Sequence, residues 1–227
     1  RVVLFDAGRQ DQPRGDLLQS ERLDPTGFVM RIEALTGEAL DAALDDVAGL
    51  RIRVFRDWPY LYDGDLEYER RYLETYRSSD AAILVGAFDG ARLVGAATGT
   101  PMADHADDFA AAFEGTGLAL NDIFYCAESV LLPEYRGRGV GHRFFDLREA
   151  HGRALGVTVS AFCGVVRPVD HPLRPDDYRP LDAFWRKRGY APLDGAMAWF
   201  SWKDIDQTEA TRKSLQVWAR SLRKDEE

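Results

Sequence analysis

The sequence contains little cysteine and no recognisable metal-ligand spacing. Only two of its 227 residues are cysteines, Cys126 and Cys163, and both lie inside apolar runs. So few cysteines exclude a disulfide-stabilised scaffold, and their positions are typical of reduced core thiols in a cytosolic protein, so a cytoplasmic location is expected. The four histidines show neither the H-E-x-x-H spacing nor the Cys/His spacing of zinc sites. We therefore expect no dedicated metal site.

Excess basic charge and long apolar runs are missing as well. Lysine and arginine number 29 against 38 aspartates and glutamates, which gives a formal net charge of -9. A chain this acidic has no general basic surface, so no nucleic-acid partner is expected. No apolar run approaches the roughly 20 residues that span a bilayer, so no membrane partner is expected either. The acidity suits plain solubility or a cationic small molecule such as an amine, and solubility is the simpler explanation.

The apolar pattern predicts one main domain with a tail at each end. Residues 1–26 mix glycine, proline, glutamine and charged residues after a short apolar stretch, Arg1–Phe5, and are predicted to form an N-terminal extension. Residues 27–203 alternate apolar runs with helical stripes. This alternation predicts a single α+β domain, a mixed sheet flanked by helices.

The C-terminal tail, residues 204–227, is predicted to be a helix. Leu215, Trp218 and Leu222 recur at helical spacing, and acidic residues precede basic ones, which matches the helix dipole. Both tails carry apolar residues. They therefore offer surface for a partner or for a second copy of the chain in a homodimer.

Within the main domain, the periodicity of apolar residues predicts the secondary structure. Asp89-Gly90 lies between two apolar runs and predicts a hairpin. The predicted helices are 36–55, 66–77, 104–113, 140–155 and 181–188, and the predicted strands are 28–35, 81–88, 92–100, 121–132, 157–166 and 196–202. Strand 121–132 is apolar on both alternating faces, so we expect it at the centre of the sheet.

The most informative stretch runs from Glu128 to His142. An apolar run stops at Pro133, the turn Arg136-Gly-Arg-Gly-Val-Gly141 follows, and then a helical pattern begins. This order places backbone N–H groups and the positive end of a helix dipole beside two arginines, which suits a pyrophosphate. The turn therefore predicts a phosphate-bearing cofactor.

Other glycine-containing turns fit the stretch less well. A dinucleotide-binding turn has the pattern G-x-G-x-x-G, whereas Gly137, Gly139 and Gly141 alternate and His142 stands where the third glycine belongs. A Walker loop needs Gly-Lys-Ser/Thr, which is absent. A plain connection between a strand and a helix needs one glycine, and three beside two arginines indicate that a ligand approaches the backbone closely.

The stretch resembles the signature of the GNAT acetyltransferases, Arg/Gln-x-x-Gly-x-Gly/Ala. Arg136–Gly141 matches this signature without a gap, and Val130–Tyr135 is similar to the strand end that precedes it in the family. Asp182–Tyr190 is similar to the family's late helix, which typically ends in Gly-Phe or Gly-Tyr. The resemblance covers roughly residues 28–202. It implies the GNAT fold, with a mixed but mostly antiparallel central sheet, and a cofactor that is acetyl-CoA or another acyl-CoA.

The resemblance also implies where the cofactor lies. The N–H groups from Arg138 to His142 would hold its pyrophosphate, with Arg136 nearby, and the strand end Val130–Leu132 would pair its backbone with the pantetheine arm. In the family the two central strands splay apart there, and an amide N–H near Leu131 would then polarise the thioester carbonyl. The implied cofactor-binding residues are Val130, Leu131, Leu132, Arg136, Gly137, Arg138, Gly139, Val140, Gly141 and His142.

Glu128 is the candidate general base. It is the one ionisable side chain in an otherwise apolar central strand, and attack by an amine on a thioester requires a group that takes the amine's proton. Burial disfavours an ionised carboxylate unless a cation pairs with it. The alternative is a purely structural glutamate that pairs with an arginine or caps a backbone group. The sequence leaves both interpretations open.

The general acid is harder to assign. Members of the family often carry a Phe-Tyr pair in the late helix, and this chain has Phe184-Trp185, whose indole is not a useful proton donor. Tyr178 and Tyr190 are nearby alternatives. Tyr190 stands at a helix end, where packing is the commoner role, so Tyr178 is the candidate. Cys163 lies in a buried strand and is expected to be a core thiol.

Two loops are expected to meet the acceptor. Asp57–Asp65 carries aromatic rings and carboxylates that suit a cationic amine, and Arg167–Tyr178 carries charges of both signs, which suit an amino-acid-like zwitterion. Each single residue in them is equally compatible with a solvated loop. The predicted function is N-acyl transfer from acetyl-CoA to a small amine or amino-acid-like acceptor by direct attack. The alternative is a non-catalytic acyl-CoA-binding or sensing module of the same fold, which the missing tyrosine favours.

Overall fold

The computed structural model describes residues 22–23 and 29–223 of the chain. The strands are β1 (Arg22–Leu23), β2 (Val29–Leu35), β3 (Ile83–Asp89), β4 (Arg92–Pro101), β5 (Ile123–Leu131), β6 (Val159–Val165), β7 (Ala191–Lys203) and β8 (Ala210–Ser221). The α-helices are α1 (Gly37–Phe55), α2 (Leu66–Ser78), α3 (Ala106–Phe113), α4 (Val140–Ala154) and α5 (Asp182–Lys187). Within the described residues, the strands form one mixed sheet in the order β1-β2-β3-β4-β5-β6-β8-β7, and only the β5–β6 pair is parallel. The predicted α+β fold is confirmed.

The centre of the sheet is the strand that the sequence predicts. Every residue of β5 is buried, and the strand lies between β4 and β6. The Asp89-Gly90 hairpin joins β3 to β4, with Gly90 in the left-handed region at a φ of +59°. Helices α1 and α2 cover one face of β5 and α4 covers the other. None of the helices in the described part of the chain is long and apolar enough to cross a membrane.

The prediction that the C-terminal tail is a helix is wrong. Residues 210–221 form strand β8, which inserts between β6 and β7 and is hydrogen-bonded on both sides. Leu215, Trp218 and Leu222 are 0, 4 and 3 % exposed, so they belong to the core and offer no surface to a partner. The interaction of this charge gradient with a helix dipole contributes less free energy than the backbone hydrogen bonds to two neighbouring strands. Pairing with those strands therefore decides the conformation of the segment.

The described part of the N-terminal tail lies at one edge of the sheet. Within the predicted extension, Arg22–Leu23 pairs with β2 in antiparallel register. The strand predicted at Arg1–Phe5 lies outside the described residues.

The two central strands diverge as the resemblance implies. Strands β5 and β6 pair from Ile123–Val159 to Tyr125–Ala161 and then make no further pairs, although β5 continues to Leu131 and β6 to Val165. Past this point the two strands present unpaired edges to each other. The sheet therefore contains an opening beside the carboxyl-terminal half of β5.

Candidate functional site

The glycine-rich turn at the start of α4 is built around left-handed backbone. Gly137 and Gly139 have φ angles of +75° and +79°, and Gly139 is the residue that caps the helix. A side chain at such angles costs about 1–2 kcal/mol. A Cβ atom at either position would meet nothing within 4 Å. Backbone conformation rather than crowding by neighbouring protein atoms therefore requires these two glycines.

The turn leaves a row of amides open. Among the described residues, the N–H groups of Gly139, Val140 and Gly141 donate to no protein acceptor. The N–H of His142 donates to the Gly139 carbonyl at 3.1 Å, so His142 does not supply the backbone donor that the resemblance assigned to it. Three successive amides at a helix N-terminus form an anion site.

Two arginines flank these amides. Arg136 Nε donates to the Leu131 carbonyl at 3.3 Å, and the exposed Arg138 donates to the Glu134 carbonyl at 3.1 Å. The Tyr135 hydroxyl donates to Asp89 at 2.6 Å and so ties the turn to the β3–β4 hairpin. The positive charge of both guanidiniums therefore lies on the same turn as the open amides.

One backbone N–H of β5 faces the opening. Leu132 N donates to the Val94 carbonyl at 3.0 Å, and Leu131 pairs with Gly95. In an antiparallel pair, backbone groups alternate between the partner strand and the free side. Val130 and Leu132 therefore direct their N–H groups to β4, and Leu131 directs its own to the opening. Of the three predicted strand residues, only Leu131 can offer an N–H to a ligand there.

A β-bulge aims the side chain of Glu128. Between the pairs Ala97–Ser129 and Gly99–Cys126, two residues of β5 oppose a single residue of β4. The extra residue shifts the alternation of side chains by one position. Glu128 consequently points to the face covered by α1 and α2, and Ser129 points to the face covered by α4.

Glu128 belongs to a buried cluster of three charged side chains. Arg51 of α1 lies between Glu128 and Glu69 of α2, and all three side chains are 0 % exposed. Arg51 Nη1 lies 2.7 Å from Glu128 Oε2, and Arg51 Nε donates to Glu69 Oε2. The hydroxyls of Tyr72 and Tyr76 lie 3.3 and 3.5 Å from the same Glu128 oxygen. The Oε1 atoms of both glutamates have no hydrogen-bond partner among the described residues.

This geometry is compatible with both interpretations of Glu128, as a general base and as a structural partner of an arginine. The pairing with Arg51 is the structural contact that the sequence left open, and it also supplies the cation that allows a buried carboxylate to stay ionised. The unpartnered Oε1 leaves that carboxylate able to accept a proton. The role of general base stays a prediction.

Burial shifts the pKa values of three groups on or near the cluster and of one core thiol. Burial, reinforced by Glu128, raises the pKa of Tyr76 far above its usual value, and burial does the same for Tyr125. Burial lowers the pKa of His105, whose ring centre lies 5.2 Å from that of Tyr125. Burial also raises the pKa of the Cys163 thiol to about 12, as a core thiol requires. Near neutral pH all four groups are uncharged.

The structure separates Tyr178 from this cluster. The Tyr178 ring packs edge-on against Trp58 at 5.8 Å, and the Arg174 guanidinium lies 5.8 Å from its centre. Burial, followed by the Asp182 charge, raises the pKa of Tyr178, so the phenol keeps its proton at neutral pH. None of these contacts involves Glu128. The two predicted catalytic residues are therefore not in contact, and each must reach the reacting atoms separately.

Tyr190 and the Phe184-Trp185 pair serve the core. The Tyr190 hydroxyl lies 2.7 Å from Ser160 and donates to Glu149 at 3.1 Å. The Trp185 ring is buried against Phe162, with ring centres 4.9 Å apart. Packing is thus the role of Tyr190 that its contacts support.

Several charged residues of the two acceptor loops are committed to the fold. Asp63 pairs with Arg56 and Lys203, and the Asp65 carboxylate accepts the N–H of Tyr68 at the start of α2. These two carboxylates therefore anchor the loop instead of facing an acceptor.

Arg167 is likewise occupied. Its guanidinium forms a bidentate pair with Asp204 at 2.7 and 3.0 Å and also donates to the carbonyls of Pro59 and Tyr60. Burial alone would raise the pKa of Asp204, but hydrogen bonds from Arg167 and Lys213 outweigh it and lower that pKa. Arg167 is therefore a clamp that joins the α1–α2 loop to the end of β7, and it is not available to bind an acceptor carboxylate.

Sequence reasoning missed Arg51, Glu69 and Arg148. Each is a fully buried charged residue within a helix. A signal for them exists, because each occupies a position on the apolar stripe of its helix where a hydrophobic residue is expected. A charged residue on such a stripe indicates a buried partner, although the sequence does not name that partner.

Solved structures resemble the chain at low identity. The ribosomal-protein-alanine N-acetyltransferase from Brucella melitensis is 15% identical, with a TM-score of 0.53 and coverage of 84% of this chain and 98% of that one. An N-acetyltransferase from Staphylococcus aureus Mu50 is 11% identical, with a TM-score of 0.52 and coverage of 86% and 99%. A GNAT-family acetyltransferase from the same organism is 10% identical, with a TM-score of 0.50 and coverage of 86% and 100%. At such identities these likenesses show the fold alone.

Comparison of sequences goes further. A search of curated proteins gives no match. The sequence model of the acetyltransferase (GNAT) family, in contrast, matches residues 50–175, which is more than half of the chain and includes both the glycine-rich turn and Glu128. The chain belongs to the GNAT acetyltransferase family.

Proposed function

We propose that the protein is an N-acyltransferase that uses acetyl-CoA and a small amine or amino-acid-like acceptor. The observation that carries this proposal is a set of free backbone donors that follow one another along the chain. They are the N–H of Leu131 beside the opening in the sheet and the open amides from Gly139 to Gly141. A diphosphate and an extended amide-bearing arm need this combination of donors. When bound, acetyl-CoA supplies its acyl group as a thioester.

The turn would hold the diphosphate. Three amides and the N-terminal end of α4 place partial positive charge at one point, and Arg136 and Arg138 add two full charges beside it. Each such charge-assisted hydrogen bond is worth about 1.5–3 kcal/mol. The donor set therefore fits the proposed cofactor.

The opening would hold the reacting groups. Leu131 N–H can donate to the thioester oxygen, where negative charge develops during attack. The acceptor nitrogen forms a bond to the acyl carbon while the bond from that carbon to sulfur breaks. Glu128 takes the proton that the nitrogen loses, directly or through a water molecule.

Tyr178 is the proposed donor of a proton to the departing sulfur. Its raised pKa keeps the phenol protonated at neutral pH, and its ring contacts Trp58 and Arg174, which belong to the two loops expected to meet the acceptor. We expect Tyr178→Phe to lower kcat by about 10²-fold with unchanged affinity for acetyl-CoA. Steady-state kinetics and calorimetry measure the two quantities. Tyr190→Phe is the matched control, and an equal kcat in Tyr178→Phe and the wild type would remove the role.

The cofactor site is tested by one glycine. We expect Gly139→Ala to weaken binding of acetyl-CoA about tenfold or more, because the left-handed φ of +79° is strained for alanine and the turn must shift its amides. Gly117→Ala is the control, since Gly117 has a φ of +75° and lies between α3 and β5. Titration calorimetry should show normal affinity for the control. Equal affinity in Gly139→Ala and the wild type would contradict the assigned cradle.

A second candidate is a module of the same fold that binds acyl-CoA without turnover. The observation in its favour is Trp185, whose indole is packed in the core at the position where the family often has a tyrosine. Release of free thiol from acetyl-CoA with a panel of amines separates the two candidates. Binding without any thiol release across the panel would favour the module.

We also propose a cytoplasmic location. Cys126 and Cys163 are both free and buried, which suits a reducing compartment. Fractionation of the native host and detection of the chain measures this directly, and recovery outside the cytoplasm would contradict it.

A further inference from the structure

The buried cluster around Arg51 contains two acidic side chains and one basic side chain. Glu69 and Glu128 each contribute a carboxylate, and a single guanidinium lies between them. The three side chains come from α2, β5 and α1 respectively, so the fold brings them together and local sequence does not. Each glutamate keeps one oxygen, Oε1, without a hydrogen-bond partner among the described residues.

Among the described residues, the other groups that face the cluster add no positive charge to it. From α2 the phenols of Tyr72 and Tyr76 face Glu128, and Tyr125 of β5 and His105 lie beside them. Burial raises the pKa of the Tyr76 and Tyr125 phenols and lowers that of His105, so these groups are uncharged near neutral pH.

In the part of the chain that the structure describes, Arg148 of α4 is the other charged residue next to Glu128. It donates to the backbone carbonyl of Glu128 at 3.0 Å and to the Ser129 hydroxyl at 2.8 Å, from the opposite face of β5. It does not contact either carboxylate. On the face that α1 and α2 cover, the two acidic side chains therefore share a single cation among the described residues.

A buried site with an unbalanced carboxylate favours uptake of one positive charge. A fully buried, paired carboxylate that shared its arginine with no other acid would be a weak base, because the salt bridge stabilises its ionised form. Glu69 occupies the Nε edge of the guanidinium and adds a second negative charge next to the first. Its presence makes a proton on Glu128 less costly than it would be in a simple pair.

We propose that Glu69 is a positioning residue for acyl transfer, which keeps Glu128 basic enough to take the proton of the acceptor amine. This inference rests on the proposed function. In the step concerned, the new C–N bond forms, the C–S bond breaks, the proton of the acceptor nitrogen moves to Glu128, and the sulfur takes a proton from Tyr178 or from water. Glu69 touches none of the reacting atoms and acts only through Arg51.

Two substitutions should move the protonation of Glu128 in opposite directions. In Glu69→Gln, Arg51 pairs with Glu128 alone, so Glu128 should take up its proton at a lower pH than in the wild type. In Arg51→Met, two carboxylates lose their cation, so protonation should occur at a higher pH. Glu74→Gln is the control, because Glu74 lies on the exposed side of α2 and pairs with Arg77. It should leave the titration unchanged.

Two measurements read this out. The first is a ¹³C NMR titration of the Glu128 carboxyl carbon in protein labelled at glutamate, which needs no turnover. The second is the pH dependence of kcat with saturating substrates: Glu69→Gln should show a lower plateau and an acidic limb displaced to lower pH. The KM for acetyl-CoA should not change.

The outcomes separate this inference from the proposed function. A Glu128 titration that is the same in the wild type and in Glu69→Gln overturns the inference, whether or not the protein turns over acetyl-CoA. Absence of turnover in the wild type overturns the proposed function, and the NMR titration then still decides the coupling within the cluster. If Arg51→Met does not fold, Glu69→Gln alone decides, since glutamine keeps the size and shape of the side chain.

Discussion

Replacement of Glu128 by glutamine should lower kcat for acyl transfer by about 10²–10⁴-fold, the range that a general base contributes. Glutamine keeps the shape of the side chain but cannot accept a proton. The affinity for acetyl-CoA should stay at the wild-type value, because the open amides of Gly139–Gly141 and the N–H of Leu131 are untouched. Steady-state kinetics with a responsive amine and calorimetry with acetyl-CoA measure the two quantities.

The loss should not come from unfolding. Removal of one partner of a buried ion pair costs about 3–5 kcal/mol when it leaves a charge alone. In Glu128→Gln, Arg51 keeps Glu69 as its partner, so the cluster becomes a neutral pair and the penalty should be well below that range. Urea unfolding of the variant checks this point.

A glutamate on the opposite face of the sheet provides the control. Glu149 of α4 is buried and paired with Arg188 and Arg220. Glu149→Gln should change the free energy of unfolding but leave kcat within about threefold, since surface and core changes away from the chemistry act through stability. If both glutamines lower kcat equally, or if Glu128→Gln retains full kcat, Glu128 is not the base.

The elements that sequence reasoning located correctly are those whose signal is local. The glycine-rich turn is an example, because left-handed φ angles at Gly137 and Gly139 are a property of the residues themselves. The Asp89-Gly90 hairpin and the fully apolar β5 are of the same kind. The opening between β5 and β6 was predicted from the family resemblance, because no local sequence pattern indicates where two strands stop pairing.

The C-terminal strand shows where local reasoning fails. The segment around Leu215 and Trp218 satisfies a helical stripe, and it also satisfies a strand in which Lys213, Leu215 and Val217 face the same side. Periodicity alone cannot show whether a short apolar segment forms a helix or a strand. Their conformation is decided by two neighbours, β6 and β7, that lie far away in the sequence.

The sequence pattern identified Glu128 as unusual, but it could not predict which face of the sheet its side chain points to. An acidic residue in an apolar strand stands out, whereas the bulge that turns it toward α1 and α2 depends on the register with β4. The same holds for its partners: Arg51 and Glu69 are separated from it by 77 and 59 positions in the sequence. A cluster drawn from three elements is a property of the tertiary structure, and only a charged residue on an apolar helical stripe hints at it.

Arg148 should be the residue on which this bulge depends. It is fully buried, and its guanidinium donates to the carbonyls of Thr98 and Glu128, both at 3.0 Å, and to the Ser129 hydroxyl. A bulge interrupts the ladder between two strands and leaves backbone groups that need other partners. Arg148 provides those partners on both sides of the interruption.

Arg148→Met should therefore lower the free energy of unfolding by about 2–5 kcal/mol, since each buried acceptor left without a donor costs about 1–3 kcal/mol while removal of a buried cation recovers part of that cost. For a chain of this size the melting temperature should fall by about 5–15 °C. Because Glu128 lies in the bulge, kcat should fall as well in the fraction that remains folded. Urea unfolding, a thermal melt and kinetics at low temperature measure these effects.

Arg153→Met, on the same helix but with a side chain 41% exposed, is the matched control and should change the free energy of unfolding by less than about 1 kcal/mol. An Arg148→Met variant that is as stable as the wild type would contradict the predicted loss of stability. The desolvation penalty of the guanidinium would then equal what its hydrogen bonds contribute. If such a stable variant also kept full kcat, the bulge would be fixed by the β4–β5 register alone. If it lost kcat, Arg148 would direct Glu128 without stabilising the fold.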